Sequence, residues 1–348
     1  MVFPGLSLRI TLQAALLLGS APLGAAAAEP VQPPDRPKSL ASELPRIPAT
    51  EPKRAVATFS LQHGFQLELV ASEPLVADPV DACFDAHGRL YVAQMHGYPF
   101  SQEPTRLNPK GGGKTDAGVV KRLEDTDGDG TFDRSVTFAQ GIRWPTSVCC
   151  YNGGIFVLAP PALHYFKDTN NDGRADLHQV VFTGFGRDNV QSVANNLKWG
   201  LDNRITLAAG RNPGQLTHNN KHVLTLGGKD FSFDPRTLDV QALTGGVQFG
   251  NSFDAWGNRF VCSNSNHIQH VLLPRRYLSR HPGLTPPAPI RSIAAGGAAA
   301  PVYRKSQAEP WRIVRTRRRV SDPKTKARLS RTEQFAIGFF TSATSVTI

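Results

Sequence analysis

Val120–Phe138 (VKRLEDTDGDGTFDRSVTF) and Leu163–Phe182 (LHYFKDTNNDGRADLHQVVF) are near-copies of one another, offset by 43 residues. Each reads as two strands joined by a tight Asp/Asn/Gly turn, and such a recurrence means one supersecondary unit used more than once. A second pattern flanks it: an apolar strand, a turn, then a second apolar strand. Its copies are Val80–Ala93 (VDACFDAHGRLYVA), Ser147–Ala159 (SVCCYNGGIFVLA), Val193–Ala208 (VANNLKWGLDNRITLA) and Phe249–Cys262 (FGNSFDAWGNRFVC). Their turns centre on His87-Gly88, Gly153-Gly154, Asp202-Asn203 and Trp256-Gly257, where Gly or Asn makes positive φ cheap. The turns lie roughly 50 to 66 residues apart, which leaves room for two more strands per unit. Thr225–Thr244 adds a hairpin around Asp234-Pro235-Arg236-Thr237, a β-turn composition. No helical window of convincing amphipathic length is found.

Four-stranded units at this period predict an all-β chain folded as a β-propeller; a β-sandwich leaves the repeat unexplained. Ala343–Ile348 (ATSVTI) resembles Pro145–Cys150 (PTSVCC), the opening strand of the second unit. About four blades plus the first strand of the next are therefore expected, an incomplete propeller with an apolar wall left open.

The repeated turns carry the strongest chemical pattern. In the first, Asp125, Asp127 and Asp129 alternate, Gly130 permits a sharp bend, the Thr131 carbonyl follows, and Asp133 takes the ninth position. Hard oxygens at this spacing suit Ca²⁺. The second copy offers Asp168, Asn170, Asp172, the Arg174 carbonyl and Asp176, one carboxylate fewer and hence a weaker site. Val136 and Gln179 stand at position twelve, so neither loop is an EF-hand. Affinity of about 10⁻⁴–10⁻³ M and a structural role are expected.

Outside the repeats, Arg9 followed by the apolar run Ile10–Leu23 and by Ala25–Ala28 reads as a signal peptide over 1–28. This places the chain in the periplasm or cell envelope. Residues 29–57 are a Pro-rich segment too poor in large apolar side chains to order itself, and the propeller is expected over 58–348. The net charge of +11 comes mostly from 304–331, which holds 11 Lys/Arg. That segment suits solvent, an acidic partner surface or peripheral contact with anionic lipid. Without interleaved aromatic residues, nucleic acid is not expected. Cys83, Cys149, Cys150 and Cys262 lie mostly in apolar runs and are expected as buried free thiols. No C-x-x-C-H occurs, so the chain offers no c-type haem attachment.

Several blocks resemble one family: FQLELVASEPLVADPVDACFDAHGRLYVAQMHGYP, LEDTDGDGTFDRSVTFAQGI, VVFTGFGRDNVQSVANNLKWGLDNRI, GGVQFGNSFDAWGNRFVCSNSNHIQHVLLP and EPWRIVRTRRRV. They are similar to the N-terminal propeller of membrane-bound dehydrogenases, large exported haem-binding CxxCH proteins of planctomycete type. That propeller, six-bladed when complete, is in turn similar to quinoprotein glucose/sorbosone dehydrogenases. The resemblance implies oxidation of a sugar or alcohol by pyrroloquinoline quinone with calcium, and electron transfer to a cytochrome c domain or protein that this chain lacks. The alternative is a non-catalytic, calcium-stabilised platform for glycan or protein.

Oxidation of an alcohol needs a base for the hydroxyl proton and cations for the quinone oxygens. His267 and His270, in the Asn264–His270 loop, are the first base candidates. His96, just after the strand Leu90–Ala93, is the third. Arg187 and Arg211 are the candidate cofactor contacts.

Overall fold

A computed structural model describes residues 40–99, 116–283, 285–303, 307–339 and 342–348. The signal peptide expected over 1–28 and the first part of the Pro-rich segment lie outside the described residues. Blade one is the antiparallel meander β1 (Pro79–Phe84), β2 (Leu90–Gln94), β3 (Gly118–Glu124) and β4 (Arg134–Ile142). Blade two follows with β5 (Ser147–Tyr151), β6 (Gly154–Ala159), β7 (Ala162–Lys167) and β8 (Leu177–Thr183). Blade three is split by an insertion. It takes β9 (Asn195–Trp199), β10 (Ile205–Ala208), β13 (Lys229–Phe233) and β14 (Val240–Thr244), while the inserted hairpin β11 (Gln215–His218)–β12 (Lys221–Thr225) adds to the outer edge of blade two. Blade four comprises β15 (Phe249–Phe253), β16 (Arg259–Cys262), β17 (Gln269–Val271) and β18 (Ile290–Ser292).

The turns explain why the hairpins form where they do. Asp85 Oδ1 accepts the His87 and Arg89 amides at 2.9 and 3.0 Å, and Asp254 Oδ1 accepts those of Trp256 and Asn258 at 3.0 and 2.8 Å. These are Asx turns, in which the side chain does the work of a backbone carbonyl. In blade two the turn falls on Asn152-Gly153, one residue earlier than expected, with φ of 47° and 73°. Gly154 belongs to β6 instead, where a Cβ would come within 2.4 Å of the Phe166 carbonyl.

The first strands of successive blades stand side by side and run parallel. Ser147 Oγ accepts the Leu197 amide at 2.8 Å, and Asn195 Oδ1 accepts that of Gly250 at 3.4 Å. The apolar core therefore lies between blades and not within them. Tyr91, Val120, Phe138, Ile155, Val157 and Phe166 fill the seam between blades one and two. Phe156, Leu163, Phe182, Ile205, Leu207, Phe231 and Phe233 fill the seam between two and three. This packing makes the array a β-propeller.

The seam between blades three and four is built differently. Strand alternation turns Phe231 and Phe233 toward blade two and leaves Asp230 and Ser232 on the other side. Asp230, fully buried, pairs with Arg259 of β16. Arg259 Nε also donates to Asn251 Oδ1 at 2.6 Å and an Nη to the Thr244 carbonyl at 2.7 Å. Asp230 Oδ1 accepts the Ala209 and Gly246 amides at 2.9 and 3.2 Å.

Three expectations change. Residues 310–321 form a helix, contrary to the absence of one read from the sequence. Pro310 starts it, arginines are good helix formers, and Val314 and Thr316 are its buried side chains. Glu43, in the Pro-rich segment, reaches this helix through an ion pair with Arg317 at 2.5 Å. Residues 342–348 lie against blade four, with Ala343 N on the Asn264 carbonyl at 3.1 Å and Ile348 N on Ser252 Oγ at 3.2 Å, but form no ladder. No helix of the described residues is long and apolar enough to cross a membrane.

Candidate functional site

Because strands alternate in direction and the blades stand parallel, the connections sort to two ends. Both aspartate loops join third and fourth strands and sit at one end. The links leaving second and fourth strands gather at the other, and these carry His96, Arg187, Arg211 and His267. His270 lies within β17, its ring stacked on Phe260 at 5.0 Å.

The two aspartate loops share one internal bonding scheme. Asp125 accepts the Gly128 and Gly130 amides at 2.7 and 2.9 Å; Asp168 accepts those of Asn171 and Gly173 at 2.7 and 2.8 Å. Asp129 Oδ1 accepts Thr131 N at 2.7 Å and Asp172 Oδ1 accepts Arg174 N at 2.8 Å. Asp133 and Asp176 turn both oxygens to Thr126 and Thr169 and close the hairpin necks. The Gly130 amide holds the Asp125 carboxyl below the usual carboxylate range, and the Thr169 hydroxyl does the same for Asp176.

Asp125, Asp127 and Asp129 each present an oxygen, all within 4.8 Å of one another. Three hard donors so placed could hold a metal ion. The second loop differs in charge, with Asn170 between Asp168 and Asp172. The Arg122 guanidinium, from blade one, also lies 3.6 Å from Asp168. A cation of the protein thus already stands beside the second loop's first acid.

At the opposite end, two Gly-Arg steps meet. Gly184, Gly186 and Gly210 allow the loops after β8 and β10 to touch backbone to backbone. A Cβ at Gly186 would fall 1.9 Å from the Pro213 carbonyl, and one at Gly210 2.1 Å from that of Ser192. Asn212 then clamps the pair, accepting Asn189 N at 2.8 Å and donating to the Asn189 and Ser192 carbonyls at 3.0 and 3.1 Å. Arg187 and Arg211 are thus held on bonded loops. Arg211 reaches blade four, donating to Ser263 Oγ at 3.2 Å. Gln248 links the same loops, donating to the Gln191 carbonyl at 3.0 Å and accepting Asn264 N at 3.2 Å. His267 lies apart, lining a groove of about 410 Å³ with Ile268 and Ser342–Thr347.

His96 is the candidate with a carboxylate behind it. Its Nδ1 lies 2.9 Å from Asp78 Oδ2 and its Nε2 3.1 Å from Gln94 Oε1. A neutral ring donating to Asp78 would face Gln94 Oε1 with a lone pair, while the buried Gln94 Nε2 lacks a partner. Turning the Gln94 amide over resolves both, since oxygen and nitrogen exchange places.

One cluster was not read from the sequence. His164 Nδ1 and His178 Nε2 face each other at 3.0 Å across β7 and β8. They line a cavity of about 470 Å³ between blades one and two with Arg143, Asp116 and Gln140. Both lie within Leu163–Phe182, on the strands of the second repeated hairpin and not in its turn. Burial, with His178 adding to it, pushes the His164 pKa from 6.5 down to about 4. A histidine depressed in the folded state leaves stability intact above the unfolded value. That stability is lost as pH falls from about 6.5 toward 4, where only the unfolded chain takes the proton. The expected NMR midpoint for His164 is therefore near pH 4, and His164→Gln should flatten the acid limb of the stability profile. A midpoint near 6.5 would contradict this.

Residues 51–348 match the family model described as Domain of unknown function (DUF7133). The chain belongs to the DUF7133 family. No curated protein sequence matches it. Among solved structures, this chain is similar to the PQQ-bound aldose sugar dehydrogenase of Streptomyces coelicolor (12% identity, TM-score 0.40, covering 59% of this chain and 61% of that one). It is also similar to the holo PQQ domain of pyranose dehydrogenase from Coprinopsis cinerea (13%, 0.37, 61% and 54%). A third is a luciferin-regenerating enzyme (11%, 0.36, 53% and 52%). The chain spans between 52% and 61% of the length of these structures. The propeller fold of this chain rests on its own four sheets.

Proposed function

We propose that this chain is the propeller module of an exported dehydrogenase that oxidises a sugar or alcohol with pyrroloquinoline quinone and passes electrons to a cytochrome c partner. Ca²⁺ in the Asp125 and Asp168 loops would be structural, since those loops lie at the opposite end from the candidate base and cations. The observation that carries the reading is the pair of bonded Gly-Arg loops, which set Arg187 and Arg211 on one end of the propeller. Their chemistry fits a planar polyanionic quinone, with Arg187 and Arg211 as the residues that would hold it. When bound, such a group supplies a two-electron acceptor for the hydride of an alcohol carbon.

The protein's own share is to bind, orient and take the proton. Asp78 fixes the His96 ring through Nδ1 and leaves Nε2 as its basic nitrogen, so release of Gln94 would expose a base. His267 lines its groove as the other proton acceptor of this end. The exposed Arg315, stacked on Trp311, and the exposed Arg318 and Arg319 on the same helix support peripheral contact with an anionic surface.

A second reading has its own support: the polar groups of the Arg211 loops bond chiefly to one another, as a rigid platform for glycan or protein would need. Purified chain loaded with quinone and Ca²⁺ separates the two. Dye-linked oxidation of a sugar or alcohol panel, reduced at least tenfold by Arg211→Ala, is the expected outcome. Glycan or partner binding without turnover, and no quinone retained, would favour the platform.

A further inference from the structure

We propose that Cys83 and Cys150 form a disulfide that ties blade one to blade two. Their Sγ atoms lie 3.2 Å apart although 67 residues separate them. Strand register brings them together. Two residues earlier on β1, the Asp81 carboxylate accepts the Val148 amide at 3.1 Å, again across 67 residues, and it also holds the Ser147 hydroxyl. The strands β1 and β5 run parallel, so the clamp that sets Asp81 against Val148 also sets Cys83 against Cys150. Side chains two apart on a strand share a side, which brings both sulfurs to the seam.

The same alternation turns Cys149 away into the cluster of Phe156 and Leu158, while Cys262 packs with Ala343 and Val346. Cys149 and Cys262 are buried, whereas Cys83 and Cys150 are partly exposed. This departs from the sequence expectation of four buried free thiols, in which the adjacency of Cys149 and Cys150 hid their opposite orientation.

Closure requires an oxidant, which a small-molecule or protein disulfide supplies. A thiolate of the pair attacks the oxidant's disulfide, forming a mixed disulfide and releasing one thiol. The second cysteine loses its proton and attacks the protein-bound sulfur, closing the Cys83–Cys150 bond and releasing the other thiol. Two protein thiols are oxidised and one disulfide is reduced to two thiols.

The test is thiol titration and non-reducing peptide mapping of the full chain after incubation with glutathione disulfide. The expected result is a fall from four reactive thiols in denaturant to two, with a Cys83–Cys150 cross-link lighter by two hydrogen atoms. Cys149→Ser should leave the cross-link in place and Cys150→Ser abolish it. The oxidised chain should unfold at higher denaturant than the reduced one. Four thiols retained, glutathione adducts that never close, or a link through Cys149 would overturn the proposal. The unmutated chain decides this alone, whatever a variant does to folding, and dehydrogenase activity plays no part in the readout.

Discussion

Arg259→Ala lowers the stability of the propeller by about 3–5 kcal/mol in equilibrium denaturant unfolding. The cost comes mainly from what is left behind. Asp230 is fully buried on β13, and its partner on β16 also holds Asn251 and the Thr244 carbonyl. Removing the guanidinium strands a carboxylate, a side-chain amide and a backbone carbonyl together. Gly245 leaves the acid no room to turn away, since even a Cβ there would lie 2.0 Å from Asp230 Cγ. Arg259→Lys keeps the charge but not the fork that reaches all three partners, so it should recover only part of the loss. The double variant Asp230→Asn, Arg259→Met should be less destabilised than Arg259→Ala, because no unpaired charge remains. Equal losses in the two variants would show that packing, and not the stranded charge, sets the cost.

Calcium is expected to raise the unfolding free energy by about 2.7 kcal/mol when present at one hundred times its dissociation constant. Binding to a preformed loop stabilises only the folded chain, and the first loop has its three carboxylates already gathered. Asp127→Asn should remove most of the gain. Asp172→Asn should remove less, because Asn170 is uncharged and Arg122 already lies near Asp168. Mg²⁺ should substitute poorly, being smaller and strict about octahedral geometry. A calcium titration with no shift in the denaturant midpoint, or one untouched by Asp127→Asn, would remove the ion from the first loop.

The hairpins were legible because their signals are local. Asp85, Asn152, Asn203 and Asp254 sit in turns that their own side chain or φ explains, and the aspartate loops repeat residue for residue. The inserted hairpin β11–β12 was missed, although Asn219 and Asn220 both take positive φ at its tip. Its strands are short, and it pairs with blade two while interrupting blade three. The helix at 310–321 was hidden by a basic run with few apolar residues. Across the site, His96 and Arg211 could be named from their places after strands. Their partners could not, because Asp78 meets His96 only through the register of β1 against β2, and Ser263 reaches Arg211 only through blade packing. The Asp230–Arg259 pair and the Cys83–Cys150 contact share that origin: each joins strands of different blades, which no periodicity within one strand reports.

The seams between blades also divide by their response to temperature. Those joining blades one, two and three are held by aromatic and aliphatic burial, whose driving force weakens on cooling. The seam to blade four is held by a buried charge pair, and the cost of keeping such charges from water falls as temperature rises. Cooling therefore weakens both kinds of joint, while warming goes on favouring the joint to the fourth blade after the burial that holds the first three together has levelled off.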